Sequence, residues 1–400
     1  MLLGLGLLAA APAFAAPALI IDVTVTSLAD DDGDGCTLRE ALTLINNGVA
    51  AAGPDASGCI AVATTGANKV RFSDGLTGSV LLDGTELTIA QPTDLIGPGA
   101  DLISIDAGAH SRVLAIGLAA ATTIQGLDLA DASAGSASAS SAASTAAGGA
   151  IYTRSPLTLV DSIIDTATAA RGGGIHAEAG APVTLLRSLI TASSAPDGAA
   201  IDAADSVSVI NSTLTSNSAT NAGAAIEATG DVSLLNSTVV NNIGPSAFAG
   251  DGVHALSASN TILDGVCTGA AISSGTSNFV TDASCIGDPG TVIGGAVVDL
   301  AALDLQPLDG TVPVPPLPLG AGSLALGAGS SAVCTAAPVS GVDQRGAQRP
   351  ATCSVGAWDV AASPVAHRHL GIRGGAFGVL ALLPLGLGAL WLRRAVRRRG

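Results

Sequence analysis

Five side chains able to hold or move a proton recur about once per sequence repeat. Tyr152, His176, Asp202, Glu227 and His254 each follow the first apolar residue of a unit of about 25 residues. Stacked on one face at the strand spacing of ~4.8 Å, Asp202 and Glu227 would stand ~5 Å apart, the carboxylate separation of a retaining glycosidase. Any outward rank on such a scaffold is polar, so plain solvated positions are the expectation, with a binding face as the alternative. No His-x-x-x-His or similar spacing marks a metal site among them. A second group, Asp30, Asp32 and Asp34 followed by Gly35, has the D-x-D-x-D-G opening of an EF-hand-type Ca²⁺ loop. Its twelfth position is Ala41 and Glu40 falls one residue early. A solvated acidic turn is therefore expected, with Ca²⁺ as the alternative and no other cofactor. A third group, Asp343 with Arg345 and Arg349, is expected to make structural salt bridges or carbonyl contacts. No catalytic set emerges.

The elements that must position these residues are strands. Ile151, Ile175, Ile201, Ile226 and Val253 recur at steps of 24, 26, 25 and 27 residues. Leu157, Val183, Val207, Val232 and Leu256 form a second column; Leu159, Leu185, Val209, Leu234 and Ala258 a third; Ile164, Ile190, Leu214, Val239 and Leu263 a fourth. Within each unit apolar and polar residues alternate, the period of a strand. One such unit cannot bury its inner face alone, but it can when stacked on a neighbour. The expected fold is all-β, a right-handed parallel β-helix. A leucine-rich-repeat solenoid would need L-x-x-L-x-L, and a propeller ~40 residues per blade. A polar column of Asp161, Arg187, Asn211, Asn236 and Asn260 is expected at turns, where amides bond one another and backbone. Glycines before each first strand supply tight turns. Thr37 and Glu40 form a capping box ahead of Leu38, Leu42 and Ile45 at helical spacing, so a short N-terminal capping helix is expected.

The two ends carry their own signals. Residues 1–16 are an apolar run ending in Ala13-Phe14-Ala15, an A-x-A signal-peptide cleavage pattern, although no Lys or Arg precedes the run. Gly374–Leu392 is 19 residues without a charge, about 28 Å as a helix and close to a bilayer core. Five arginines follow it, which places the extreme C-terminus in the cytoplasm and the body outside. The body keeps 9 Lys and Arg against 32 Asp and Glu, a formal charge of −23, which repels nucleic acid and anionic lipid. Six cysteines lie in three sequential pairs, Cys36 and Cys59, Cys267 and Cys285, Cys334 and Cys353. Export permits disulfides; sequential pairing is the expectation among 15 connectivities.

VTSLADDDGDGCTLREALTLINN (25–47) resembles the CSLREA-type N-terminal domain of exported β-helix proteins, with Gly35 to Ala41 as the core of the match. GVDQRGAQRPATCSVGAWD (341–359) resembles the C-terminal signature of the choice-of-anchor Q family at Asp343, Arg345, Gly346, Arg349, Pro350, Cys353, Gly356 and Ala357. It departs at Trp358-Asp359, where Phe/Tyr-Glu is usual. Gly374 and Gly375 before the span, with the terminal arginines, resemble a glycine-glycine sorting signal. The resemblance implies export, a β-helix, and a tail removed by a rhomboid-type membrane protease. It implies no defined activity.

The expected organisation is a signal peptide at 1–16, an N-terminal cap at 17–60, and coils at 61–264 with a low-complexity loop at 133–149. Closing coils and an irregular cap follow at 265–360, then a linker at 361–373, a transmembrane helix at 374–392 and a basic tail at 393–400. The expected function is a surface-anchored structural or adhesin-like module for an extracellular glycan or protein. The alternative is a polysaccharide lyase or glycoside hydrolase, which fold analogy alone would license.

Overall fold

The alternation of aliphatic and polar residues becomes a parallel β-solenoid. A computed structural model describes residues 19–30, 35–49, 52–135 and 146–360. Among them, each coil contributes one strand to each of three stacked sheets. Sheet 1 runs through Asn68–Phe72, Thr93–Ile96, Thr122–Gln125, Leu157–Val160, Val183–Leu186, Val207–Ile210, Val232–Leu235, Leu256–Ser259 and Ile272–Thr276. Sheet 2 includes Ile163–Thr168, Leu189–Thr191, Thr213–Thr215, Thr238–Val240 and Ile262–Leu263. Sheet 3 includes Leu114–Ile116, Ile151–Thr153, Ile175–Ala177, Ile201–Ala203, Ile226–Ala228 and Phe248–Gly250.

Three of the four aliphatic columns are in register throughout. Leu157, Val183, Val207, Val232 and Leu256 stack in sheet 1, as do Leu159, Leu185, Val209, Leu234 and Ala258. Ile164, Ile190, Leu214, Val239 and Leu263 stack in sheet 2. These side chains form one continuous buried core. The remaining column breaks at its end: Ile226 pairs with Phe248, not Val253. Phe248 is 3% exposed and Val253 82%. The larger apolar side chain gains more by entering the core, and residues 251–255 leave the sheet as a loop.

Each corner has its own backbone solution. Asp161, Arg187, Asn211, Asn236 and Asn260 all adopt φ between 48° and 51°, the left-handed region that Asn and Asp tolerate best. At the corner before sheet 3, Gly148, Gly172, Gly198 and Gly223 have φ of 59–68°. A Cβ on Gly148 would stand 2.3 Å from Ile151 O, so glycine is required there.

At the N-terminal end, Ile21–Val25 joins sheet 1 in parallel with Asn68–Phe72 and antiparallel to Ile60–Ala63. The segment expected as a cap thus supplies a strand of the solenoid. A helix, Leu38–Asn47, starts at Thr37. Thr37 Oγ1 accepts from Glu40 N, and Thr37 N donates to Glu40 Oε2. Its Leu38, Ala41, Leu42 and Ile45 are buried in the core. The cysteines pair as Cys36–Cys59, Cys267–Cys285 and Cys334–Cys353.

The chain after the last coils turns back along the solenoid. Its Leu303, Leu317, Leu319 and Val355 pack on Val240, Ile262 and Phe279, and Val314 packs on Leu189. The outer face of sheet 2 around Ile163, Leu189, Val240, Ile262 and Phe279 is therefore covered by the protein's own C-terminal segment. That segment also seizes the corner amides. Asn260 Nδ2 donates to Ser330 O and its Oδ1 accepts from Ser330 N, while Asn211 Oδ1 accepts from Arg349. Within this corner column one amide–amide contact occurs among the described residues, Asn260 Nδ2 to Asn236 Oδ1 at 3.4 Å. The corner column binds the C-terminal segment more than itself.

The expected signal peptide, linker, span at 374–392 and basic tail, with Gly374 and Gly375, lie outside the described residues, as do Asp32, Asp34 and most of the expected low-complexity loop. Among the described residues no helix is long and apolar enough to cross a membrane.

Candidate functional site

The short strands of sheet 3 present one outward residue each, and the sequence places polar groups there in consecutive coils. Tyr152, His176, Asp202 and Glu227 are register neighbours. The expected fifth member is not: Glu227 pairs with Ala249. His254 lies in the displaced loop, its Nδ1 2.7 Å from Asp251 Oδ2. The backbone N–H groups of His254 and Val253, with the His254 ring, hold the Asp251 carboxyl down at about 2. That is a local turn, separate from the column.

The column continues inward through residues with no repeat signature. Arg112 pairs with Glu86 and donates to Gly148 O and Ala147 O. Its guanidinium lies 5.3 Å from the Tyr152 ring centroid. Burial lowers the Arg112 pKa, against the pull of Glu86. Tyr152 stacks on His176 with centroids 5.7 Å apart and rings 12° from parallel, and donates to Glu178 Oε1 at 3.1 Å.

Asp202 is the hub and is buried. His176 Nδ1 lies 2.7 Å from its Oδ2, and Arg171 donates to both oxygens from Nε (2.9 Å) and Nη2 (3.2 Å). With Nδ1 committed to Asp202, Nε2 of His176 faces Glu178 Oε1 at 3.6 Å. Arg171 Nη2 is also 3.6 Å from Glu227 Oε1, whereas the buried Glu227 Oε2 has no hydrogen-bond partner among the described residues. Burial first, then the charges of Asp202 and Asp197, push the Glu227 carboxyl above its ordinary range; Arg171 opposes them. Burial also works against the Arg171 cation, but the surrounding carboxylates outweigh it and raise its pKa. The result is one carboxylate anchored by Arg171 and His176 beside one carboxyl whose pKa is raised.

The sequence reading missed Arg171, Glu178 and Asp197. Arg171 and Asp197 are bridge partners, each directly preceding a corner glycine. Opposite charges at that position in successive repeats were the available signal.

Asp30, Asp343, Arg345 and Arg349 are each held in ion pairs. Asp30 is bound by Arg39 Nε (2.9 Å) and Nη2 (2.8 Å) and accepts from Asp83 N. No group of three or more metal-ligating side chains occurs among the described residues. Asp343 accepts from Arg345, and Arg349 is enclosed by Asp359, Asn211 and backbone carbonyls. Burial lowers the Arg349 pKa against the pull of Asp359 and Asp343.

A second polar rank lies on sheet 1. Thr123, Thr158, Thr184, Ser208, Ser233, Ser257 and Ser274 are register neighbours in consecutive strands. Part of this rank floors a groove of about 340 Å³, edged by Pro182, Ser206, Asp231 and Ala255.

Fold and site define a class: an all-β parallel solenoid with three disulfides and a self-contained polar column on one face. Comparison with family models, curated proteins and solved structures returns no match.

Proposed function

We propose that the chain is an exported, surface-anchored binding module of adhesin type, built on a right-handed β-helix and capped by the helix at 38–47. The observation that carries the reading is the state of the sheet 3 column. Both oxygens of Asp202 are occupied by Arg171 and His176, which fixes this carboxylate in place. The Glu227 side chain is 24% exposed beside Arg171, so a ligand meets a charged pair at this end of the column. The three disulfides are compatible with export. The expected partners are an extracellular glycan or protein, the membrane through residues 374–392, and a sorting protease acting at Gly374 and Gly375.

A glycan and protein-ligand array probed with the full chain tests the reading. Saturable binding supports it, and absence of binding across both arrays overturns it. For the anchor, protein recovered from the cell surface is expected to lack the arginine tail. Intact protein held in the inner membrane would refute the sorting signal but not the span.

One observation favours a second reading, a glycoside hydrolase or polysaccharide lyase. Arg171 converges with Asp202 and Glu227, and a carboxyl with raised pKa is what a general acid needs. Degradation of a glycan, lost in Asp202→Asn and Glu227→Gln, would replace the binding reading with this one.

A further inference from the structure

We propose that the groove on the outer face of sheet 1 binds a linear, neutral polysaccharide along the solenoid axis, in contact with the hydroxyls of Thr184, Ser208 and Ser233. The inference rests on the binding-module reading but concerns a different face from the column at Asp202.

Register sets the geometry. Thr184, Ser208 and Ser233 are direct neighbours in three successive strands, and Ser257 and Ser274 continue the rank. A polymer lying across the strands meets a new hydroxyl every ~4.8 Å. The groove's lining comes from five consecutive coils, 182–184, 206–208, 231–233, 255–257 and 274, so its long direction follows the axis.

The chemistry is that of a site awaiting hydroxyl partners. The hydroxyls of Thr184, Ser208 and Ser233 are half-buried and make no hydrogen bond to any described residue. Ser257 by contrast already donates to Val232 O at 3.2 Å. A hydroxyl both donates and accepts, so it suits a ligand whose groups do the same. Pro182 and Ala255 give apolar edges for the C–H faces of sugar rings.

Charge selects the class of polymer. Asp231 is the one charged residue lining the groove, and its Oδ1 accepts from Ala255 N at 2.9 Å. With no cation in the lining and a body carrying −23, uronates and sulfated chains are disfavoured.

The test is isothermal titration calorimetry of the purified full chain with cellohexaose and mannohexaose, and with hexagalacturonate as the anionic comparison. The expected result is binding of a neutral hexasaccharide. The triple variant Thr184→Val, Ser208→Ala, Ser233→Ala should weaken it at least about tenfold, since each hydrogen bond contributes a few-fold. Ser208→Arg should abolish it, and Leu81→Ser, at an exposed position on a different sheet, should leave it unchanged. An unchanged melting temperature shows that the variants fold; Ser208→Ala alone serves if the triple variant does not. The proposal is overturned if neither neutral probe binds, if hexagalacturonate binds more tightly, or if groove variants bind as well as the parent. Binding lost only in Glu227→Gln would overturn it while leaving the binding-module reading standing.

Discussion

Arg349→Met should release the C-terminal segment from the solenoid without unfolding the coils. The Arg349 side chain is 1% exposed and donates to Val342 O (2.9 Å), Gly356 O (2.9 Å), Ala357 O (3.2 Å), Asn211 Oδ1 (3.2 Å) and Asp359 Oδ2 (3.3 Å). Two of these acceptors keep other donors after the substitution. Ala357 O still receives Gln344 N, and Asp359 still receives Ser354 N, Ser354 Oγ and Val360 N. Val342 O, Gly356 O and Asn211 Oδ1 lose theirs. At ~1–3 kcal/mol per buried unsatisfied group, the loss is at least ~3 kcal/mol. Breaking a buried ion pair by removing one partner costs ~3–5 kcal/mol, which agrees. The Cys334–Cys353 bridge remains, and stability in a stacked repeat is carried by neighbouring coils, so the damage should stay local. Hydrogen exchange read by mass spectrometry should show residues 339–359 exchanging faster by roughly two to three decades. The core strands at 183–186 should exchange as before. A change below tenfold at 339–359, or equal acceleration in both regions, would refute the assignment of Arg349 as the clasp.

The remaining predictions concern the coils and the column. Gly198→Ala should lower the melting temperature and loosen Asp202, because φ is +59° and the new Cβ would stand 2.5 Å from Asp202 Cβ; left-handed backbone alone costs ~1–2 kcal/mol, and an unchanged melt would contradict the contact. Ile201→Ala empties a fully buried ladder position and should cost ~2–5 kcal/mol in urea unfolding; a loss under 1 kcal/mol would mean that the coils collapse around the gap. Glu227→Gln should stabilise the protein at neutral pH and do nothing in acid. The folded carboxyl has its pKa raised, so the native state holds the extra proton and stability falls as pH rises through the window between the ordinary and the raised value. Melts from pH 3 to 8 check the sign, and destabilisation by the Gln variant at pH 8 would show that the Arg171 contact outweighs burial and the neighbouring carboxylates.

Three aliphatic columns were legible because their repeat reports local alternation and one-dimensional stacking, both written into consecutive residues. The Asn and Asp corners were legible for the same reason, since the backbone there requires φ near 50° in every coil. What failed was nonlocal or depended on side-chain size. Val253 matched the spacing, but Phe248 filled the core better and carried Ala249, not His254, into the outward rank. Arg171 and Glu178 entered the site from corners, where the aliphatic repeat is silent and the one signal was the opposite charge of Arg171 and Asp197 before successive corner glycines. Nothing local announced that Arg349 would reach Asn211, 138 residues away in the chain.

The same nonlocal contacts limit what the protein can bind. Of the nine basic residues in the body, Arg39, Arg71, Arg112, Arg171, Arg187, Arg345 and Arg349 are already paired with carboxylates of this chain. Few cations are left to recruit an anion. The outer face of sheet 2 from Ile163 to Phe279 is packed against the C-terminal segment, so that part too is withdrawn from binding. The outer faces of sheets 1 and 3 then offer hydroxyls and carboxyls, groups that suit hydroxyl-rich or cationic ligands. The two faces differ in how salt should act on them. Contacts at the charged column around Asp202 weaken as ionic strength rises, whereas contacts at the uncharged rank of Thr184, Ser208 and Ser233 do not depend on screening. A ligand's salt dependence therefore reports which face holds it.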